Sequence, residues 1–262
     1  MIENEGMRSL NSSIEVVNTS SYRKLDMYAN SFLEKRKHKG ITPDQAKKIV
    51  QDPLFFAASM VAEGDADGCV AGSVSTTGDV LRAAIQTIGL KPGSNVVSSI
   101  FLMSFEDGKV FSFGDCAVVP YPTSDQLATI AIDSANSHQA LTGEEPKVAM
   151  LSFSTKGSAK HDQVDLVEEA LNISKQQSSL LKIDGTLQFD AAYVDSIGKQ
   201  KAPDSEVAGK ANVFIFPNLD AGNISYKITE RLAGATATGP IIQGLAKPMM
   251  DLSRGCSWEE IL

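Results

Sequence analysis

Cysteine is scarce in this chain: Cys69, Cys116 and Cys256 are the only three among 262 residues, and no two form a CxxC pair. That usage is neither a disulfide framework nor a zinc site, and it suits a reducing, cytoplasmic compartment. Histidine is equally sparse. His38, His138 and His161 are scattered, so there is no HExxH zinc signature. No apolar run approaches the roughly 18 residues of a membrane span. A basic excess is missing too: 24 Lys and Arg stand against 32 Asp and Glu, a formal net charge of −8. Non-specific nucleic-acid binding needs a basic surface to displace phosphate counterions, so that class is set aside. The start, Met1-Ile-Glu-Asn-Glu-Gly6, is acidic where a signal peptide would be basic.

What is present is the composition of a folded, mixed protein, with 42% hydrophobic and 21% charged residues. Periodicity predicts alternating helices and strands. Tyr22, Leu25, Ala29, Phe32 and Leu33 share a helical face. Thr42-Pro43-Asp44-Gln45 is a helix start, with Thr as N-cap, Pro at the first position and Gln closing a capping box. Asp52-Pro53 repeats the signal, and Gly64 ends that helix. Further helices are expected around Leu81, Ala84, Ile85 and Ile88, after the capping box Thr123–Gln126, around Val164, Val167 and Leu171, and around Ile224, Ile228 and Leu232. Strands are expected at 14–17, 95–103, 109–113, 147–153 and 211–216, with a short one after Asp67-Gly68. This alternation implies an α/β fold with a mostly parallel sheet. Residues 195–209 read as a surface loop, Lys91-Pro92-Gly93 as a domain junction, and the chain as shortened at both ends.

Four stretches have the residue types for chemistry. Leu151–Lys160 runs from a strand into a loop of hydroxyls, one glycine and lysines before a helix. Ser154 and Gly157 are therefore candidates to hold an anion at a helix start, or merely to cap it. In Phe216–Lys227 a Gly-Asn turn precedes a helix, and Asn223 is either its N-cap or a ligand-facing residue at a strand's carboxyl end. Asp251-Leu-Ser-Arg-Gly-Cys-Ser257 brings Ser253 and Arg254 before a capped helix. A hydroxyl, a guanidinium and a helix dipole together suit phosphate, whereas an Asp251–Arg254 ion pair is the structural alternative. In Gly64–Arg82, Asp65 and Asp67 lack the ligand order of a calcium loop, and Ser75-Thr76-Thr77-Gly78 sits at the next helix start, with Arg82 one turn on.

Taken together, these stretches resemble the phosphate acetyltransferase (phosphotransacetylase) family. The matching strings are ADG at 66–68, STTGDVLR at 75–82, EPKVAMLSFSTKGSAKH at 145–161, DGTLQFDAA at 184–192, KAPDSEVAGKANVFIFPNLDAGN at 201–223, GPIIQGLAKP at 239–248 and DLSRGCS at 251–257. The resemblance implies two α/β/α domains with mostly parallel sheets and a cleft between them. Residues 1–93 with 246–262 would form a discontinuous, incomplete first domain. Residues 94–245 would form the second, with the surface of a homodimer. It further implies acetyl transfer between coenzyme A and phosphate, with CoA as a substrate and no permanently bound cofactor or metal. Ser253 and Arg254 match the hydroxyl that positions the thiol or thioester and the phosphate-binding arginine. Glu260 matches the base position, usually Asp, while Arg36 and Arg82 match substrate-binding arginines. The sequence departs from the family at Met250 (usually Asn), Ala83 (usually Pro) and Ser225 (commonly Gly). A non-catalytic homologue that binds CoA or a partner, and an enzyme for propionyl or butyryl groups, remain as alternatives.

The chemistry sets a requirement. A CoA thiol titrates near 8.5, as cysteine does, so only a few per cent is thiolate at neutral pH. A carboxylate at about 4.3 would accept the proton uphill by about 6 kcal/mol. Glu260 therefore works as a base only if burial raises its pKa or Arg254 stabilises the thiolate. Direct attack with both substrates held together needs no acyl-enzyme.

Overall fold

The computed structural model describes residues 14–252 together with 255 and 256. Helices α1 (Leu25–Arg36), α2 (Pro43–Val50) and α3 (Pro53–Glu63) come first. Their starts form as the sequence predicts. The Thr42 side chain accepts from the Gln45 N–H while the Gln45 side chain accepts from the Thr42 N–H, and Asp52 accepts from the N–H groups of Leu54 and Phe55. These bonds satisfy first-turn donors that have no partner within the helix. Tyr28, Phe32, Val50 and Phe56 then pack together.

Strand β1 (Cys69–Ala71) leads into α4 (Thr77–Thr87). It pairs in parallel with β8 (Met249–Asp251), Cys69 opposite Met249 and Ala71 opposite Asp251. Met249 is fully buried among Ala58, Val61, Val80 and Ala84. The chain therefore returns to its early helices just before the Ser253-Arg254 motif. The buried face of α4 is Val80, Ala83, Ala84 and Thr87; of the expected Leu81, Ala84, Ile85 and Ile88, Ala84 and Ile88 are buried and Ile85 is exposed. Two small alanines let α4 approach α3 closely, and this packing, not the largest side chains, sets the inward face.

A second sheet has six strands: β2 (Ser98–Ser104), β3 (Val110–Gly114), β4 (Lys147–Leu151), β5 (Lys182–Leu187), β6 (Val213–Ile215) and β7 (Thr236–Gln243), in the order β5-β4-β6-β3-β2-β7. Neighbours from β5 to β3 are parallel, and β2 runs antiparallel to both β3 and β7. Helices α5 (Ser124–Thr142) and α6 (Asp162–Gln177) cover one face, where Leu127, Ile130, Val167 and Leu171 meet Val148, Met150, Val213 and Ile215. The alternate residues Ala149, Leu151, Phe214 and Phe216 face the other side. There they meet α7 (Phe189–Tyr193), α8 (Asp195–Lys201) and α9 (Leu219–Ala233). This period of two, apolar on both faces, is what a doubly covered parallel sheet requires.

Several expectations are corrected. Residues 14–17 form no strand, and Val16 is 81% exposed: β-branched residues alone make no strand without a pairing neighbour. The expected loop 195–209 begins as α8, and Val207 and Ala208 beyond it are core residues. Strands β5, β7 and β8 lay outside the strands read from sequence. Asp184-Gly185 interrupts the first, Gly239-Pro240 in the second reads as a turn, and the third is three residues long.

Candidate functional site

Strands β4 and β6 are neighbours, but the chain leaves them in opposite directions. After β4 it passes through α6 to β5 at one edge, and after β6 through α9 to β7 at the other. Such a reversal opens a crevice at the carboxyl ends of the two strands, where α/β proteins place ligands. The first two sequence motifs follow these two strands, so the topology brings them together.

The loop after β4 is built by its own side chains. Ser154 is fully buried, and its hydroxyl accepts from the Ala159 N–H at 3.0 Å. The Thr155 N–H donates to Ser158 Oγ, and Thr155 Oγ1 accepts from the Gln188 N–H at 2.9 Å. Ser154 thus shapes the loop and presents no hydroxyl outward. Gly157 lies on the exposed tip with φ +79°. At the start of α6, His161 is the N-cap, accepting the Gln163 N–H on Nδ1.

After β6, Asn218 is the N-cap of α9 and accepts from the Ala221 N–H at 3.0 Å. The expected turn at Gly222-Asn223 is therefore a second helical turn, and Asn223 caps nothing. Its Nδ2 donates to the Cys116 carbonyl at 3.0 Å, and its Oδ1 accepts from Lys227. Gly222 is there for close approach: a Cβ would overlap the Asp115 carbonyl oxygen.

Asp115, at the carboxyl end of β3, is a residue that sequence reasoning missed. It is 4% exposed. Oδ1 accepts from the Ser99 N–H and hydroxyl and from the N–H groups of Ala117 and Val118, and Oδ2 accepts from the Val119 N–H at 2.7 Å. One carboxylate thus organises the turn on which α9 rests. The sole signal in the sequence is an aspartate directly after a strand, which is common at turns. Burial, with the Asp115 charge adding to it, pushes the neighbouring Cys116 thiol well up, so it is an inert core residue.

A separate cluster forms at the start of α4. Thr76 is the N-cap, accepting the Asp79 N–H and donating to the Asp79 carboxylate at 2.7 Å. The Thr76 hydroxyl, with Arg82 assisting, holds the Asp79 carboxyl below its ordinary value. Arg82 is paired with Asp79 at 3.0 Å on the exposed face. Thr77 Oγ1 donates to Asp251 Oδ2 at 2.5 Å, and Oδ1 of this buried aspartate has no hydrogen-bond partner among the described residues. Burial pushes the Asp251 carboxyl up, against the Thr77 bond. The Ser75 N–H closes a turn on Gly72, and the Gly255 N–H donates to the Ser73 carbonyl. The STTGD loop and the DLSRG motif are therefore in direct contact.

Arg36 is not brought to this cluster. It is the last residue of α1, and Lys35 beside it bonds to the Thr87 carbonyl, at the far end of α4 from Thr76, about 16 Å along the helix. Ser253, Arg254 and Glu260 lie outside the described residues. Asp65 is held by Lys24 and Tyr28 rather than by an ion site, and no group of three potential metal ligands occurs among the described residues. No described helix is long and apolar enough to cross a membrane.

Similarity to known proteins spans the residues that carry these motifs. The family model for phosphate acetyl/butaryl transferase matches residues 2–262. A phosphate acetyltransferase of Thermoanaerobacterium thermosaccharolyticum is 50% identical over 256 residues, 96% of this chain and 78% of that protein. The EutD phosphotransacetylase from Staphylococcus aureus superposes with a TM-score of 0.88 at 46% identity, covering 97% of this chain and 78% of that one. A phosphotransacetylase from Streptococcus pyogenes gives a TM-score of 0.90 at 46% identity, covering 94% and 74%.

Proposed function

The chain belongs to the phosphate acetyl/butaryl transferase family, and from that premise we infer how its residues divide the work of acetyl transfer. The activity is transfer of an acetyl group between coenzyme A and inorganic phosphate. One observation carries this: the similarity to phosphate acetyltransferases runs through nearly the whole chain, motifs included. The non-catalytic and longer-acyl alternatives find no support in these relatives.

In our reading, a phosphate oxygen attacks the thioester carbonyl carbon. The carbon–sulfur bond breaks, and CoA leaves as a thiolate that takes up a proton. In reverse, the thiolate attacks acetyl phosphate and phosphate leaves. Arg254 binds the phosphate, and Ser253 donates to the carbonyl oxygen as charge develops on it. Glu260 takes the thiol proton in the reverse direction and returns it in the forward one. The Thr77–Asp251 bond supports this assignment, because it anchors the residue two positions before Ser253 to the start of α4. Thr76 and Thr77 then act through the backbone and loop shape they fix, since both hydroxyls are engaged. Ser75, Arg82, Gly157 and the loop shaped by Ser154 are assigned to substrate binding, and Asn223 to supporting the Cys116 turn; Arg36, remote from the Thr77–Asp251 cluster, is given no role there.

The same proposal divides the chain into residues 1–93 with 246–262 and residues 94–245. Separate apolar clusters and separate sheets support the division, as do two adjacent crossings where the Lys91 N–H meets the Gly244 carbonyl and the Ala246 N–H meets Gly89. The cleft lies between these parts. The second part carries the homodimer surface: Ile224, Ile228 and Leu232 form an apolar stripe on α9 that is 52–84% exposed. A cytoplasmic site of action fits three free cysteines and a CoA substrate.

Phosphate-dependent release of thiol from acetyl-CoA tests the activity, and Arg254→Ala tests the assignment. A charge-assisted hydrogen bond is worth about 1.5–3 kcal/mol, so kcat/KM for phosphate should fall about 10- to 150-fold. Arg254→Lys should recover only part of it, because the planar fork is lost. Wild-type kinetics in the alanine variant would leave Arg254 without a role in phosphate binding.

A further inference from the structure

The two parts of the chain are joined at Lys91-Pro92-Gly93 and again at residues 243–247, and both crossings rest on α5. Asp133 on that helix is buried, its side chain 5% exposed, and it takes no part in the proposed chemistry. Its Oδ1 pairs with Lys91 Nζ at 2.5 Å, and its Oδ2 accepts from the Ser94 hydroxyl at 2.8 Å. Beside it, buried Gln243 is held by the same helix. Its Oε1 accepts from the Ser137 hydroxyl at 2.9 Å, and its Nε2 donates to Ser134 Oγ at 3.0 Å and to Ser98 Oγ at 2.9 Å. Positions 133, 134 and 137 share one face of α5, so a single helical surface receives both crossings.

The crossings also grip each other and the first part. Leu90 pairs with Leu245 in antiparallel fashion, between the Lys91–Gly244 and Gly89–Ala246 hydrogen bonds. Gly244, at φ +88°, permits this approach: a Cβ there would lie 2.3 Å from the Val96 carbonyl oxygen. Farther along, Lys247 Nζ donates to the Val61 and Ala62 carbonyls near the end of α3, at 2.8 and 3.0 Å. The second crossing is thus tied to α5 at Gln243 and to α3 at Lys247, and it runs directly into β8. Elsewhere the parts share little. Among the described elements, the principal packing partners of α1–α4 and β1 lie within residues 25–87 or in β8, and the principal contact across the division is β7 with β8, at the second crossing itself.

We infer that Asp133 is a positioning residue for the transfer reaction: by holding the first crossing on α5 through Lys91 and Ser94, it sets how the part carrying β8 faces the loops at the carboxyl ends of β4 and β6. This rests on the assignment of the cleft between the two parts to the reaction. With so little packing across the division, the orientation of one part against the other is decided at the junction. The attacking oxygen and the carbonyl carbon must be brought to about 3–3.5 Å, and a misplacement of about 1 Å costs roughly 100-fold in rate. Asp133 acts through that geometry and exchanges no proton with the substrates.

The test is steady-state kinetics of Asp133→Asn, which keeps the size of the side chain and loses the pair with Lys91, with thermal melting alongside. The expected result is a kcat about 10-fold or more below wild type, with KM for phosphate within a few-fold, because Arg254 binds phosphate from one part alone. Lys91→Met should lose rate as well, and Lys91→Arg, which can still reach the carboxylate, should recover part of it. The double variant Lys91→Met/Asp133→Asn should be no slower than the slower single variant, since both act through one pair; multiplied losses would mean separate actions and overturn the inference. A purely structural role would lower the melting temperature and leave kcat near wild type in the protein that remains folded. That result overturns the inference, as does a loss confined to KM for phosphate. If Asp133→Asn does not fold, Lys91→Met is judged by the same criteria. Absence of phosphate-dependent thiol release in the wild-type chain would instead overturn the acetyl-transfer activity itself, so the two failures are distinguishable.

Discussion

Glu260→Gln is expected to slow acetyl transfer by about 100-fold or more while the melting temperature stays near wild type. The substitution keeps the size and hydrogen-bonding outline of the side chain and removes its capacity to take a proton. The prediction is sharp because Glu260 has a second explanation. In the sequence Ser257-Trp258-Glu259-Glu260 it stands three residues after a serine, the spacing of a capping box, which a Glu or Gln closes equally well. Under capping alone, Glu260→Gln keeps both rate and stability. Glu260→Asp adds direction. The family commonly carries Asp here, and a displacement of about 1 Å can change rate by roughly 100-fold. Faster turnover in the Asp variant means that the shorter carboxylate is the better base in this site; slower turnover means that the surrounding backbone is fitted to Glu.

The second large effect is on stability. Asp115→Ala should lower the unfolding free energy by about 3–5 kcal/mol, because it strips acceptors from one hydroxyl and four backbone N–H groups at a buried turn. Asp115→Asn should lose less, about 1–3 kcal/mol. One amide oxygen still accepts, while the NH₂ group must face an N–H donor such as that of Val119. Urea unfolding measures both, as a lower midpoint with an unchanged slope. A midpoint equal to wild type in the alanine variant would mean that water satisfies these donors and that the carboxylate is dispensable. Transfer activity should fall with Asp115→Ala beyond its loss of folded protein, since Gly222 and hence α9 rest on this turn.

The sequence was most legible where a local rule is sufficient. Thr42, Asp52 and Thr123 cap helices as expected, because capping needs only residues within one turn. The apolar, β-branched runs at 147–153 and 211–216 were equally plain, because a strand covered on both faces is apolar throughout, and β4 and β6 form within them. What was not legible is decided by distant partners. β8 is three residues long and forms against β1 from the other end of the chain. The stripe of Ile224, Ile228 and Leu232 has core-like spacing, yet it faces outward because Ala221, Gly222 and Tyr226 make the inner contacts of α9. Asn223 was placed at a helix start because Gly-Asn suggests a turn, while Asn218, five residues earlier, is the residue that caps. At the candidate site the motifs marked the right loops but not the duties within them. Ser154 and Thr77 have the hydroxyls of ligand-binding residues, and both are engaged with protein partners. The Lys156–Asp184 ion pair and Asp115 carry the architecture, and each depends on a strand neighbour that a linear sequence does not display.

The account stands on one reaction, and phosphorus NMR of the chain with acetyl-CoA and inorganic phosphate follows it directly. Acetyl phosphate should appear in step with free CoA thiol, one for one, and the same mixture should be reached from acetyl phosphate and CoA. Thiol release that yields acetate without acetyl phosphate, or no consumption of acetyl-CoA by folded protein, would contradict it.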